Sequence, residues 1–262
     1  MSGKKILFIN PVGHDAWDNE VKNYLNSAKE ENTEVDVISL KQGPKHLEYH
    51  YYEALVGVEL LHIIKRAENN GYDAAVIGCF YDPFLHEARE ICDRMVVTAP
   101  AESSLQLASV LGDTFSIIVG RRKWIAAMRS NVLKYGYGEK LSSFRSLELG
   151  VLDFHADENL TESRLKTEAQ KAVTEDGAES IILGCTMQFG FYQKLQELLG
   201  VPVIDVVLAP FKHAEFLVEV RDKFGWKTSK VGGYETPPVA EIQEWRLQET
   251  YHAPGLWDKK KR

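Results

Sequence analysis

Along this chain, short apolar runs alternate with longer stretches of helical spacing. KILFI (5–9) has the nearly continuous apolar character of a buried strand, and residues 15–31 predict a polar helix. EVDVIS (34–39) alternates as a half-buried strand does. Within 50–70, Leu55, Val58, Leu61 and Ile64 recur every three positions, which predicts a helix. A strand follows at 74–78, a helix at 84–93, a strand at 95–98 (MVVT) and a helix at 102–111. The pattern then restarts, with a strand FSIIVG (115–120), a helix 123–135 and a strand near 144–152. It continues with a helix 160–176, a strand IILG (181–184), a helix 190–199, a strand VPVIDV (201–206) and a helix 209–224. Beyond Trp226 the period fades, with a helix expected around 240–250 and irregular packing elsewhere.

Strands alternating with helices imply βαβ units and parallel sheets, hence an α/β fold. Two segments repeat each other. YDAAVIGCFYDPFLHEARE (72–90) and AESIILGCTMQFGFYQKLQE (178–197) each carry a turn, an apolar strand, Gly-Cys and a helical pattern, with the cysteines 106 residues apart. The simplest reading is an internal duplication giving two similar α/β lobes. Residues 1–98 with 208–262 are expected to form the first lobe and 99–207 the second, with chain crossings after the strands at 95–98 and 201–206.

Both cysteines fall at the carboxyl ends of parallel strands, where α/β sheets bind ligands. The preceding glycines predict a sharp turn and a close approach of ligand to backbone. The starts of the following helices predict free N–H groups that lower the thiol pKa below its ordinary value of about 8.5. Two matched thiols suit proton removal from one face of a carbon acid and return to the other, with backbone N–H groups holding the enolate-like oxygen. Cys92 lies inside a helical pattern and reads as packing. No CxxC or HxxxH spacing accompanies the thiols, so neither zinc nor dithiol redox chemistry is expected.

With 262 residues and a net charge of −7, the chain holds one large or two small domains and does not favour nucleic acid as a partner. No apolar run reaches the roughly 20 residues of a bilayer span. MSGKKILFINPVG has too short an apolar stretch for a secretory signal, so a cytoplasmic location is expected. Three cysteines suggest no disulfide framework, and the basic KKKR (259–262) reads as a solvated end.

Taken together, VIGCFYDPFLHEARE, LASVLGDTFSIIV, IILGC and GVPVID resemble the aspartate/glutamate/hydantoin racemase superfamily, nearest its hydantoin-racemase-like branch, from about Ile6 to Val220. The resemblance implies two pseudo-symmetric Rossmann/flavodoxin-like lobes with the active site between them. It also implies no cofactor or metal, a small-molecule substrate, a homo-oligomer, and Cys79 and Cys185 as the acid/base pair. Around the thiols, the expected substrate-facing positions are Asn10, His14, Phe80, Tyr81, Glu102, Thr186 and Met187; Thr186 matches the polar residue that follows the second thiol in amino-acid racemases of this superfamily, which implies that it helps hold a carboxylate. Asp82 reads as the cap of the helix after Cys79. The surroundings of the thiols depart from the family: NPVGHD (10–15) stands for Asn-Pro-Asn and small hydroxyl residues, and Tyr81 and Phe84 for glycines. The resulting expectation is a cofactor-independent racemase or epimerase on a hydantoin-like ring. The alternatives are a cysteine-dependent lyase or hydrolase (decarboxylase, isomerase or thiohydantoin desulfidase) and a non-catalytic ligand-binding protein.

Overall fold

In the first strand, β1 (Lys4–Asn10), Ile6 and Phe8 join one apolar cluster and Leu7 and Ile9 another, the period of two that a strand buried on both faces requires. The structure, a computed structural model, describes residues 3–258; the basic end at 259–262 lies outside them. After β1 come α1 (Asp18–Ala28), β2 (Thr33–Ser39), α2 (His50–Asn69), β3 (Ala74–Ile77), α3 (Leu85–Ile91) and β4 (Val96–Thr98). These strands form a parallel sheet in the order β2-β1-β3-β4.

Helix α4 (Pro100–Leu111) leads to β5 (Phe115–Val119), α5 (Ile125–Lys134), β6 (Leu141–Ser146), α6 (Glu158–Thr174), β7 (Ser180–Leu183), α7 (Tyr192–Leu199) and β8 (Val203–Ile204). The second sheet is also parallel, in the order β6-β5-β7-β8, which repeats the first. Helix α8 (Leu208–Phe224) then returns to the first sheet, where Phe211, Ala214 and Val218 pack with Ile6, Phe8 and Val76. The α/β fold read from the sequence is therefore present as two parallel four-stranded sheets flanked by helices.

Three expected elements differ. The strand placed near 144–152 is β6, at Leu141–Ser146, because its LSSFRS sequence is half-buried throughout and lacks an apolar run. The more apolar stretch that follows is irregular, and it still sends Leu147, Leu149 and Phe154 into the second core. Helix α1 is shorter than 15–31, since residues 15–17 form a turn closed by the Asp18 N–H on the Asp15 carbonyl at 3.1 Å. The helix around 240–250 is broken into α9 (Val239–Glu244) and α10 (Leu247–Thr250) at Arg246, which adopts φ 53°. The segment after α8 lies over the first sheet's helices, with Lys230 Nζ donating to the Arg89 and Glu90 carbonyls at 2.7 and 2.9 Å. Among the described residues no helix is long and apolar enough to cross a membrane.

Candidate active site

Cys79 follows β3 and Cys185 follows β7, which hold the same place in their sheets. The glycine before each has the same structural reason, and it differs from the one expected. A Cβ on Gly78 would lie 2.5 Å from the Phe8 ring and 2.9 Å from the Ile9 carbonyl; one on Gly184 would lie 2.9 Å from both the Ile117 side chain and the Ile118 carbonyl. Each glycine thus lets its strand end press against the neighbouring strand, to whose carbonyl it donates at 2.8 Å. The close approach is to protein.

The chain after each cysteine reaches toward the other sheet. Phe80 and Tyr81 pack into the core of the second sheet, and Asn131 Nδ2 donates to the Tyr81 carbonyl at 2.7 Å. Asp82, buried at φ 50°, caps α4 and not the helix after Cys79: its carboxylate accepts from the N–H groups of Ala101 (2.7 Å) and Glu102 (2.8 Å) and from the Tyr135 hydroxyl (2.9 Å). After Cys185 comes a three-residue helical turn, Thr186–Gln188, and Thr186 Oγ1 donates to the Gly78 carbonyl at 3.1 Å. Phe189 then packs against the first sheet's outer cluster beside Trp17 and Tyr24. Asp205 mirrors Asp82, accepting from the N–H groups of Val207 (2.8 Å) and Leu208 (3.2 Å) at the start of α8, from Gly190 N–H (3.0 Å) and from the Tyr24 hydroxyl (2.7 Å).

Two adjoining cavities, about 40 and about 80 Å³, share Cys79, Cys185, Leu47, Val151 and Thr186 as lining. Of the substrate-facing candidates, Phe80 and Tyr81 line the smaller, Asn10, His14 and Met187 the larger, and Thr186 both. Asn10 is braced by Asp18, which accepts from its amide at 2.7 Å, and the His14 ring meets the Lys45 carbonyl at 3.2 Å. Glu102 lines neither cavity. Its carboxylate is engaged by both terminal nitrogens of Arg89, the Nη1 contact being 2.9 Å. The Thr186 hydroxyl proton already has an acceptor on Gly78, so what remains for a ligand is an acceptor oxygen, which does not suit a carboxylate.

The thiols depart from expectation in sign. Burial pushes Cys185 up to about 12, against a hydrogen bond from the Met187 N–H and with the charge of Glu48 adding to the rise. Burial pushes Cys79 up as well, against the Tyr81 N–H and with the charge of Cys185 adding to the rise. The expected lowering fails because no long helix starts at either sulfur: α3 begins at Leu85, and Cys185 leads only a single turn. The N–H groups of Tyr81 and Met187 point at the sulfurs and only partly offset desolvation.

Sequence reasoning missed residues that other segments bring to the cavity wall: Leu47 and Glu48 from before α2, Trp124 and Met128 from the start of α5, and Val151. Glu48 is buried; burial raises its carboxyl, but the Val151 N–H at 3.0 Å, Arg121 at 2.6 Å and nearby His46 outweigh that and hold it below the usual range. Glu48 also ties the segment before α2 to the second sheet's loops, through Arg121 and Val151.

The sequence pattern of the family Asp/Glu/Hydantoin racemase matches residues 6–214. The chain is 38% identical over 237 residues to the hydantoin racemase of Pseudomonas sp. (strain NS671), covering 90% of this chain and 93% of that one. It is 38% identical over 234 residues to that of Paenarthrobacter aurescens, covering 89% and 97%. In structure it is similar to the allantoin racemase from Klebsiella pneumoniae, with a TM-score of 0.84 at 29% identity over 90% of this chain and 94% of that one.

Proposed function

We propose, from the premise that this chain belongs to the Asp/Glu/Hydantoin racemase family and is an isomerase of the racemase class, that it inverts the stereocentre of a hydantoin-like cyclic amide by two-base proton transfer between Cys79 and Cys185. The observation that carries the reading is the pair of cysteines at equivalent strand ends, both lining the same two cavities. One sulfur, as thiolate, takes the proton from the carbon next to the ring carbonyl, and the electron pair moves onto the carbonyl oxygen. The other sulfur, as thiol, returns a proton to the opposite face. Protons balance over a turnover, and only the position of the thiolate changes.

The raised pKa values fit this division. A thiolate in such surroundings is scarce but strongly basic, which suits a weakly acidic C–H, and its partner stays protonated as the acid. They fit a nucleophilic role less well, because a reactive thiolate is favoured by a lowered pKa. In this reading residues 1–98 with 208–262 form one lobe and 99–207 the other. Asn10, His14, Phe80, Tyr81, Thr186 and Met187 surround the ligand, and Glu102 braces the structure beside it. A cytoplasmic setting is retained from the sequence, and a homo-oligomer from the family resemblance.

The test follows both enantiomers of a panel of substituted hydantoins in heavy water. The wild type should exchange the ring C–H proton and racemise either hand. Cys79→Ser and Cys185→Ser should each lose net inversion, since a hydroxyl is too weak an acid to replace the thiol, and any remaining exchange should fall on opposite enantiomers in the two variants. Full racemisation by either variant would refute the two-base scheme.

A further inference from the structure

Resting on that reading, we propose that Trp124 is a ligand-contacting residue whose indole N–H donates to a carbonyl oxygen of the cyclic amide held between the cysteines. Trp124 is 2% exposed and lines the smaller cavity together with Cys79 and Cys185. Its Nε1 is buried with no hydrogen-bond partner. Native proteins rarely leave a buried donor unpaired, and an unpaired one at a cavity wall points to an acceptor that arrives with the ligand.

The ring is held firmly. A Cβ on Gly120 would lie 2.4 Å from the indole Cη2, so the glycine makes room for the ring, and Phe154 packs edge-on at 6.3 Å between centroids. Packing alone is served by a phenylalanine, which carries no N–H to strand.

Leu47, Phe80, Met128 and Val151 are apolar. The N–H groups of Tyr81 and Met187 face the sulfurs, and the Thr186 hydroxyl donates to Gly78. Glu48 supplies an anionic acceptor already engaged by Arg121 and Val151, and Tyr81 a hydroxyl that serves either role. The indole is the donor-only side chain of this wall. A cyclic amide, with N–H and C=O side by side, complements a wall that offers a carboxylate and an indole donor. As the ring carbon loses its proton, negative charge grows on the carbonyl oxygen and the indole bond strengthens, so its loss slows turnover more than it weakens binding.

The test uses unsubstituted hydantoin, which is achiral and binds without net turnover, and two-dimensional proton–nitrogen NMR of the indole groups. The chain has five tryptophans, and the resonance missing from Trp124→Phe identifies the relevant one. If that variant does not fold, Phe substitutions at Trp17, Trp226, Trp245 and Trp257 assign it by elimination. Hydantoin should move the Trp124 indole proton downfield and slow its exchange with solvent. Trp124→Phe should lower kcat by about tenfold to a hundredfold and change KM by less than about threefold. An unmoved Trp124 resonance in a protein that binds and racemises hydantoins overturns this proposal and leaves the two-cysteine reading intact. No perturbation of the protein anywhere by hydantoin overturns both.

Discussion

Thr186 Oγ1 donates to the Gly78 carbonyl at 3.1 Å, so the residue after one cysteine is bonded to the residue before the other, 108 positions away in sequence. A direct bond thereby ties together the two segments that carry the thiols. Thr186→Ser should keep this bond and most of the activity. Thr186→Val should lose it, costing about 1 kcal/mol of stability and at least about tenfold in turnover, because an attack geometry loosened by a fraction of an ångström slows proton transfer. Steady-state racemisation and thermal melts of the two variants side by side check this.

The scarcity of thiolate predicts a pH profile. In the proposed two-cysteine scheme, with both thiols raised above the ordinary range, the thiolate grows tenfold for each pH unit across neutrality, so kcat/KM should climb with unit slope through about pH 7 to 9. Glu48 sets part of this, since its negative charge opposes the thiolate of Cys185. Glu48→Gln should lower the Cys185 pKa and speed its alkylation by iodoacetamide at any fixed pH in that range. Peptide mass mapping over time reads the rate at each cysteine, and an unchanged rate at Cys185 counts against the coupling.

Asp82 carries a stability prediction. Burial lifts its carboxyl from 3.8 to about 7, against the N–H bonds from α4 and the Tyr135 hydroxyl. The folded form therefore holds the proton more tightly than the unfolded form. Between about pH 4 and about pH 7 the unfolded chain has lost a proton that the folded chain retains, so this group's contribution to stability falls as pH rises and is level above that window. Asp82→Asn should remove the slope. Asp82→Ala should cost about 3 kcal/mol, since it strands two helix N–H groups and a hydroxyl and places alanine at positive φ. Urea unfolding as a function of pH measures both.

Glu102, expected as a substrate-facing position, should behave as a structural residue. Its carboxylate is held by Arg89, both side chains being mostly buried. Glu102→Gln should lower stability by about 2 kcal/mol and leave KM for hydantoins unchanged. A large rise in KM at unaltered stability would return Glu102 to the ligand.

The repeated architecture and both thiols were legible because apolar runs such as AAVI and SIIL are local signals, and Gly-Cys at the end of each is a local signal too. The expected lowering of the thiol pKa was misleading for a physical reason: the sequence shows a helical pattern after each cysteine but not the irregular residues between sulfur and helix, nor the enclosure that desolvates the thiol. Asp82 was legible as a cap, and the helix it caps was not, since α4 lies beyond the next strand. Glu48, Trp124 and Val151 were illegible because no local spacing marks them; tertiary folding alone brings them to the cavity wall.

The chain after each cysteine packs into the territory of the opposite sheet, Phe80 and Tyr81 into one core and Phe189 against the other, and a buried aspartate bonded to a tyrosine stands beside each crossing. Such an arrangement works as a double stitch. Swinging the two halves apart would draw aromatic rings from their sockets and strip hydrogen bonds from Asp82 and Asp205 at once, which disfavours hinge opening as a route for substrate. Any widening of the larger cavity then falls to the loop segments that line it, His14 and Lys45 among them, where the His14 ring meets the Lys45 carbonyl at 3.2 Å, and not to a hinge between the sheets.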